Sequence, residues 1–189
     1  MGIVIKKVIN ENTLNTMIDI LEKSQVSQEN LFHNKQYFTK NTIKSHIKND
    51  GVIFFYIKDE KPVGTVSLCH EKYNGKIQAC TGLYNGYELR YVSVLPGYQG
   101  CGIAKELIAD VKEYVDHKVI VVNTALNNSK AISLYERSGF QKVDVHYYNN
   151  HYVIDMIYGM DSVSKLNYFI SCVSARMMKL KAIIRRKTR

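Results

Sequence analysis

The chain has 189 residues and carries 26 lysines and arginines against 17 acidic residues, a net charge of +9. That length is most simply one domain, large enough to bury a core without disulfide staples. Its four cysteines, Cys69, Cys80, Cys101 and Cys172, form no C-x-x-C pair and read as reduced thiols rather than a disulfide framework, and no metal site is expected.

The opening MGIVIKKVINEN has too short an apolar stretch for a signal peptide, and Lys6 stands where a myristoylation signal needs Ser or Thr. No apolar run is long enough to span a bilayer, so a soluble, cytoplasmic protein is the expectation. The basicity is local. Residues 162–189 hold eight basic residues and no acid, which leaves 18 basic against 17 acidic residues over 1–161. The body is therefore near neutral, and it shows no nucleic-acid-binding module, repeat or low-complexity segment.

In chain order, residues 3–9 alternate and are β-branched, an opening strand. Leu14, Met17, Ile18 and Leu21 fall at helical spacing, with Asn10 or Asn12 as the cap. A polar linker over 25–38 leads to a second helix at 39–49, closed by Asp50-Gly51. Residues 52–57 are a strand, 59–62 a turn and 63–70 its antiparallel partner. Residues 73–87, with glycines at 75, 82 and 86, are an irregular extension of that hairpin or a loop. A strand at 88–95 precedes a helix with Ile103, Leu107, Ile108, Val111 and Val115 on one face. Residues 119–123 form a continuous apolar strand of the buried parallel kind. A helix at 128–138 follows, then a hairpin of 143–148 and 152–158 about Asn149-Asn150. This β-α-α-β-β-β-α-β-α-β-β order predicts a mixed α/β fold with one central twisted sheet flanked by helices.

The most informative run is 88–104, ELRYVSVLPGYQGCGIA. A half-apolar strand runs into Pro96-Gly97, then into Gln99, Gly100, Cys101, Gly102, Ile103 and Ala104 at the start of an amphipathic helix. Strand, glycine-containing loop and helix N-terminus together build an anion cradle. The unpaired amides of the first helical turn point outward, and the helix dipole favours negative charge there. Glycines let a phosphate reach those amides where a Cβ would block it. The run lacks the Lys-Ser/Thr ending of a nucleotide P-loop and the glycine spacing of a dinucleotide fingerprint. The residues alone give a diphosphate site without an owner.

Gln99-x-x-Gly102-x-Ala104 resembles the pyrophosphate motif Q/R-x-x-G-x-G/A of the GNAT superfamily of acyl-CoA-dependent N-acyltransferases. Downstream, Asn128, Ala131, Tyr135, Gly139 and Phe140 match that superfamily's second block, N-x-x-A-x-x-x-Y-x-x-x-G-F, one helix and one strand further on. The resemblance covers roughly residues 60–145. The first sixty residues, which usually shape the acceptor pocket, match nothing recognisable, and the chain has no tryptophan. The resemblance implies acetyl-CoA as acyl donor, an amine as acceptor, and a GNAT-like sheet with a splayed pair of strands. It also implies that the pantetheine arm pairs with the backbone of Val92, Ser93 and Val94 at a bulge, one of whose amides serves as oxyanion donor. The pyrophosphate would lie on the amides of residues 99–104, and Asn128 would cap its helix while reaching the CoA arm.

Acyl transfer from a thioester to an amine needs a neutral amine and a proton for the departing thiolate. Deprotonating a lysine-like amine at neutral pH costs about 4.6 kcal/mol. Glu88 precedes Val94 by six residues, where histone-type members of the superfamily carry their general base; the plainer alternative is a solvent-facing glutamate at a strand end. His46 and His70 read as surface or strand-end histidines. Tyr135 is the proton donor to the thiolate by resemblance, or else one more core aromatic beside Ile132 and Leu134. Cys101, at a helix N-terminus, suggests an acyl-enzyme nucleophile, but no histidine neighbours it in sequence and the motif leaves its position free. Two other classes stay open: a non-catalytic acyl-CoA sensor or scaffold, and an interaction protein that acts through its basic tail.

In that tail Leu166, Phe169, Ile170, Val173, Met177, Leu180 and Ile184 fall on one helical stripe, with Lys165, Arg176, Lys179, Arg185 and Arg186 off it. Such a stripe suits docking on the body, on a second copy of the chain, or on an anionic membrane. Nucleic acid is the least supported partner. The organisation expected is a catalytic domain over 1–161 and a basic amphipathic tail over 162–189.

Overall fold

The computed structural model describes residues 2–6, 10–25, 39–47, 51–69, 87–116, 118–148 and 151–159. The expected linker, the 73–87 segment (Tyr87 apart), His70, the Asn149-Asn150 turn and the basic tail lie outside the described residues.

Among the described residues seven strands form one sheet: β1 (Gly2–Lys6), β2 (Val52–Lys58), β3 (Lys61–Cys69), β4 (Tyr87–Val94), β5 (Ile120–Ala125), β6 (Gln141–Tyr148) and β7 (His151–Tyr158). Around it lie α1 (Glu11–Gln25), α2 (Lys40–Ile47), α3 (Ile103–Tyr114) and α4 (Ser129–Arg137). The strand order is β1-β2-β3-β4-β5-β7-β6. Only β4 and β5 are parallel neighbours; the other pairings are antiparallel. Element order and mixed α/β class are those expected from the patterning.

Each face of the sheet carries its own core. Phe54, Val66, Leu89, Ile120 and Met156 meet Leu107 and Val111 of α3 on one face. Ile53, Phe55 and Cys69 meet Leu14, Met17 and Ile20 of α1 and Ile43 of α2 on the other. The period of two in a strand lets β2 feed both layers through consecutive residues. Full burial of each Leu or Ile contributes about 1.5–3 kcal/mol. Asn10, rather than Asn12, caps α1, since its Oδ1 accepts from the Thr13 amide at 2.9 Å.

Two expectations need correction. The β2–β3 turn is two residues, not four: Asp59 and Glu60 both have positive φ (+50° and +62°), the backbone of a tight twisted hairpin. Pro62 lies near the start of β3, where a missing donor is tolerated. Second, β5 is not chiefly a parallel strand. It pairs with β4 only at Tyr87↔Ile120 and Glu88↔Val121, and antiparallel with β7 from Ile120 to Ala125. An unbroken apolar run reports burial of both faces, not the direction of the neighbours.

The second sequence block turns out to punctuate α4. The Ala131 amide donates to Asn128 Oδ1 at 3.1 Å, so Asn128 is the N-cap. At the other end Gly139 takes φ +84°, its amide donates to the Glu136 carbonyl, and the Phe140 amide donates to the Tyr135 carbonyl. The Phe140 and Tyr135 rings meet at 5.7 Å, completing a Schellman stop with its apolar contact. Lys112 of α3 donates to the Ser138 carbonyl at 2.5 Å and lies 4.0 Å over the Tyr158 ring, tying α3 to the end of α4. Among the described residues no helix is long and apolar enough to cross a membrane.

Candidate active site

β4 and β5 run together for two residue pairs and then part. Beyond Glu88 and Val121 no pair joins them, which leaves the β5-facing edge of β4 with backbone groups that no strand claims. β4 also carries a bulge. Between Thr65↔Ser93 and Ser67↔Arg90, β3 advances two residues while β4 advances three. Tyr91 absorbs the extra residue with φ +57°, a conformation that costs a bulky L-residue roughly 1–2 kcal/mol. Ser93, just past the bulge, shares a 2.8 Å hydrogen bond with Ser24 of α1.

At the end of β4 the chain makes a short 3-10 turn over Pro96–Tyr98. Gln99 Nε2 then donates to the Val94 carbonyl at 2.9 Å, and the Gln99 amide to the Pro96 carbonyl at 3.3 Å. Gln99 thus braces the loop, and the open amides begin after it. Gly100 and Gly102 have φ +81° and +84°, a region where a Cβ is disfavoured. No side chain caps α3, and among the described residues the amides of 100–104 have no backbone acceptor. On β3, Gly64 lets α3 approach: a Cβ there would lie 3.0 Å from Ile103 Cγ2. Cys101 is exposed, and among the described residues its sulfur meets the Gln99 carbonyl at 3.9 Å and no base.

Tyr135 projects from α4 into the core that α3 shares. Burial pushes its phenol above the ordinary tyrosine range, so it stays protonated. Among the described residues its hydroxyl has no hydrogen-bond partner. Packing alone would be served by phenylalanine, so the hydroxyl is what the tyrosine adds.

The sequence profile of the acetyltransferase (GNAT) family matches residues 15–140. The chain belongs to that family. Spore coat polysaccharide biosynthesis protein SpsD of Bacillus subtilis is 36% identical over 83 residues, 41% of this chain and 29% of SpsD. N-alpha-acetyltransferase RimI of Mycobacterium tuberculosis is 33% identical over 57 residues, 30% of this chain and 36% of RimI. The matches thus span about a third of each curated relative's length. Among solved structures, PaiA N-acetyltransferase of Thermoplasma acidophilum in complex with coenzyme A superposes with a TM-score of 0.60 at 17% identity, covering 84% of this chain and 100% of that one. At that identity the likeness is one of fold.

On the α1/α2 face of this GNAT sheet, Glu88 is buried, not solvent-facing at a strand end. It lies opposite Cys69, its Oε2 2.7 Å from Arg90 Nη2 and its Oε1 3.4 Å from Asn123 Nδ2. Nor is His46 a plain surface histidine. Half-buried on α2, it shares a hydrogen bond between Nδ1 and the Tyr91 hydroxyl, and the two rings stack at 5.9 Å. Sequence reading had no signal for this pair: the residues are 45 apart and meet only because the bulge turns Tyr91 toward α2. A second polar group on the same face brings donor atoms of Asp144, His146 and Asp155 within 4.8 Å of one another. That one was legible, because a hairpin centred on Asn149-Asn150 places 144 opposite 155.

Burial, helped by Arg90, lowers the His46 pKa to about 4 from an ordinary 6.5. The unfolded chain therefore binds the extra proton first, and His46 makes stability fall as pH drops from about 6.5 toward 4. Replacing it by glutamine should remove that component. Thermal melts of the wild type and His46→Gln should differ progressively more in favour of the variant across that window; parallel curves would refute the assignment.

Proposed function

We propose that the chain is an N-acetyltransferase, moving an acetyl or other short acyl group from acyl-CoA to a primary amine by direct attack in a ternary complex. The observation that carries this reading is the Tyr135 hydroxyl, without a partner among the described residues, on the same face of the sheet as the uncapped start of α3. Acetyl-CoA suits that arrangement, and coenzyme A is the ligand named for the PaiA structure. Its pyrophosphate sits on the loop of Gln99, Gly100, Cys101, Gly102, Ile103 and Ala104, with the amides after Gln99 as donors. The pantetheine arm adds to the free edge of β4 at Val92, Ser93 and Val94, and a bulge amide points at the thioester oxygen. Asn128 caps α4 through its oxygen and lends its side-chain amide to the arm.

Tyr135 protonates the departing thiolate. Glu88 is the base that strips the acceptor's ammonium, which must enter the Arg90–Asn123 network to reach it. The acceptor is a small-molecule amine or a protein amine; the RimI match favours including N-terminal peptides among those tried. The cytoplasm suits four cysteines that form no C-x-x-C pair, and the basic tail is an appendage for docking on the body, a second copy or an anionic membrane. A CoA sensor would have no use for the lone hydroxyl. Acetyl-CoA-dependent thiol release with pooled amines and peptides tests the reading. A chain that binds CoA yet releases no thiol above background with any pool would make it the sensor instead.

A further inference from the structure

An ammonium acceptor loses two protons on its way to an amide. The first must leave before attack, because a protonated amine has no lone pair. The second leaves after the N–C bond has formed, when the nitrogen is positively charged and far more acidic than an alkylammonium. Under the proposed function Glu88 takes the first, and the remaining proton needs a second acceptor on the same face of β4.

That face offers one. Tyr91 occupies the bulge itself, one residue before Val92, and holds a strained φ of +57°. Strain of this kind persists only where the surroundings over-determine it and is concentrated at functional sites. Here it turns the ring toward α2, where the hydroxyl meets His46 Nδ1. The imidazole faces Arg90, and the groups bearing on Tyr91 are Arg90, Glu88 and the Cys69 thiol. Its own burial, and then the Arg90 cation, keep the ring neutral near pH 7; the same two make its imidazolium costly, so it holds a proton only in passing.

We infer that Tyr91 and His46 form a proton relay for the second deprotonation, an inference that rests on the acyltransferase reading above. Once the N–C bond has formed, the N–H bond breaks and its electron pair stays on nitrogen. The proton passes to the Tyr91 oxygen as the tyrosine's own proton moves to His46 Nδ1, which leaves Tyr91 unchanged and His46 as imidazolium. The C–S bond then breaks and the thiolate takes its proton from Tyr135; Glu88 and His46 each release a proton to solvent, and Tyr135 regains one from it. The balance is one acyl-CoA and one ammonium in, one amide, one thiol and one proton out.

The test compares His46→Ala, His46→Gln and Tyr91→Phe in the full chain. Each should lower kcat about a hundredfold and leave CoA affinity unchanged. Added imidazole should restore His46→Ala and leave Tyr91→Phe impaired. Glutamine accepts the Tyr91 hydrogen bond but takes no proton, so His46→Gln separates relay from bracing. Recovery of turnover in His46→Gln, an imidazole-insensitive loss in His46→Ala, or full activity in Tyr91→Phe overturns the relay. Wild-type turnover is the control on the reading beneath it. An inert wild type that binds CoA overturns the function and the relay with it, whereas an active wild type with an unimpaired His46→Ala overturns the relay alone.

Discussion

Gly102→Asp should abolish CoA binding while leaving the protein folded. Gly102 precedes α3 with φ +84°, and aspartate is among the few L-residues that visit this region at modest cost. Space is no obstacle, since a Cβ there would meet only Glu106 Oε1, at 4.0 Å. The new carboxylate, however, enters the cradle where phosphate oxygens would accept from the amides of residues 100–104. Each lost charge-assisted bond costs about 1.5–3 kcal/mol, so losing two weakens the dissociation constant by roughly 10²–10⁴-fold. Gly102→Asn is the matched control: the same shape without the charge should retain most of the affinity. Calorimetry that finds unchanged CoA binding in a folded Gly102→Asp protein would sink the pyrophosphate assignment.

Tyr135→Phe should separate chemistry from binding. The substitution removes one oxygen from a ring already packed against Phe140, so the core keeps its shape. Because that hydroxyl has no partner among the described residues, its loss should leave the melting temperature equal or slightly higher. On the proposed mechanism the leaving thiolate would lose its proton donor, and kcat should fall by about 10²–10⁴-fold with CoA affinity within roughly twofold of wild type. A drop in CoA affinity that accounts for the whole loss would make Tyr135 a binding residue, and an unchanged kcat would mean the thiolate departs unaided.

The elements themselves were legible because their signals are local. Ile103, Leu107, Ile108 and Val111 recur at helical spacing and are all buried in α3. Gly100 and Gly102, read as gaps through which a phosphate could reach the amides, also both have positive φ, and Asn128 caps α4 as its position suggested. The two sequence blocks carried the family as well, since a glycine-containing loop ahead of a helix and a helix with fixed stops leave residue types at fixed spacing. The β2–β3 turn was misjudged because Pro62 reads as a turn residue although it lies within a strand.

What the chain by itself determined, then, is the order of its elements, the glycine-containing loop before α3 and the family it belongs to, all written in contacts a few residues apart. Only the tertiary structure decided which side each polar group serves. Burial of Glu88 against Arg90 and Asn123, the parting of β4 from β5 after two pairs and the meeting of His46 with Tyr91 all join distant segments. A single bulged residue produces the last of them. A strand's alternation assigns Tyr91 to one face, and one extra residue moves it to the other. No periodicity in the sequence records that step, because it is set by how β3 and β4 pair across the sheet.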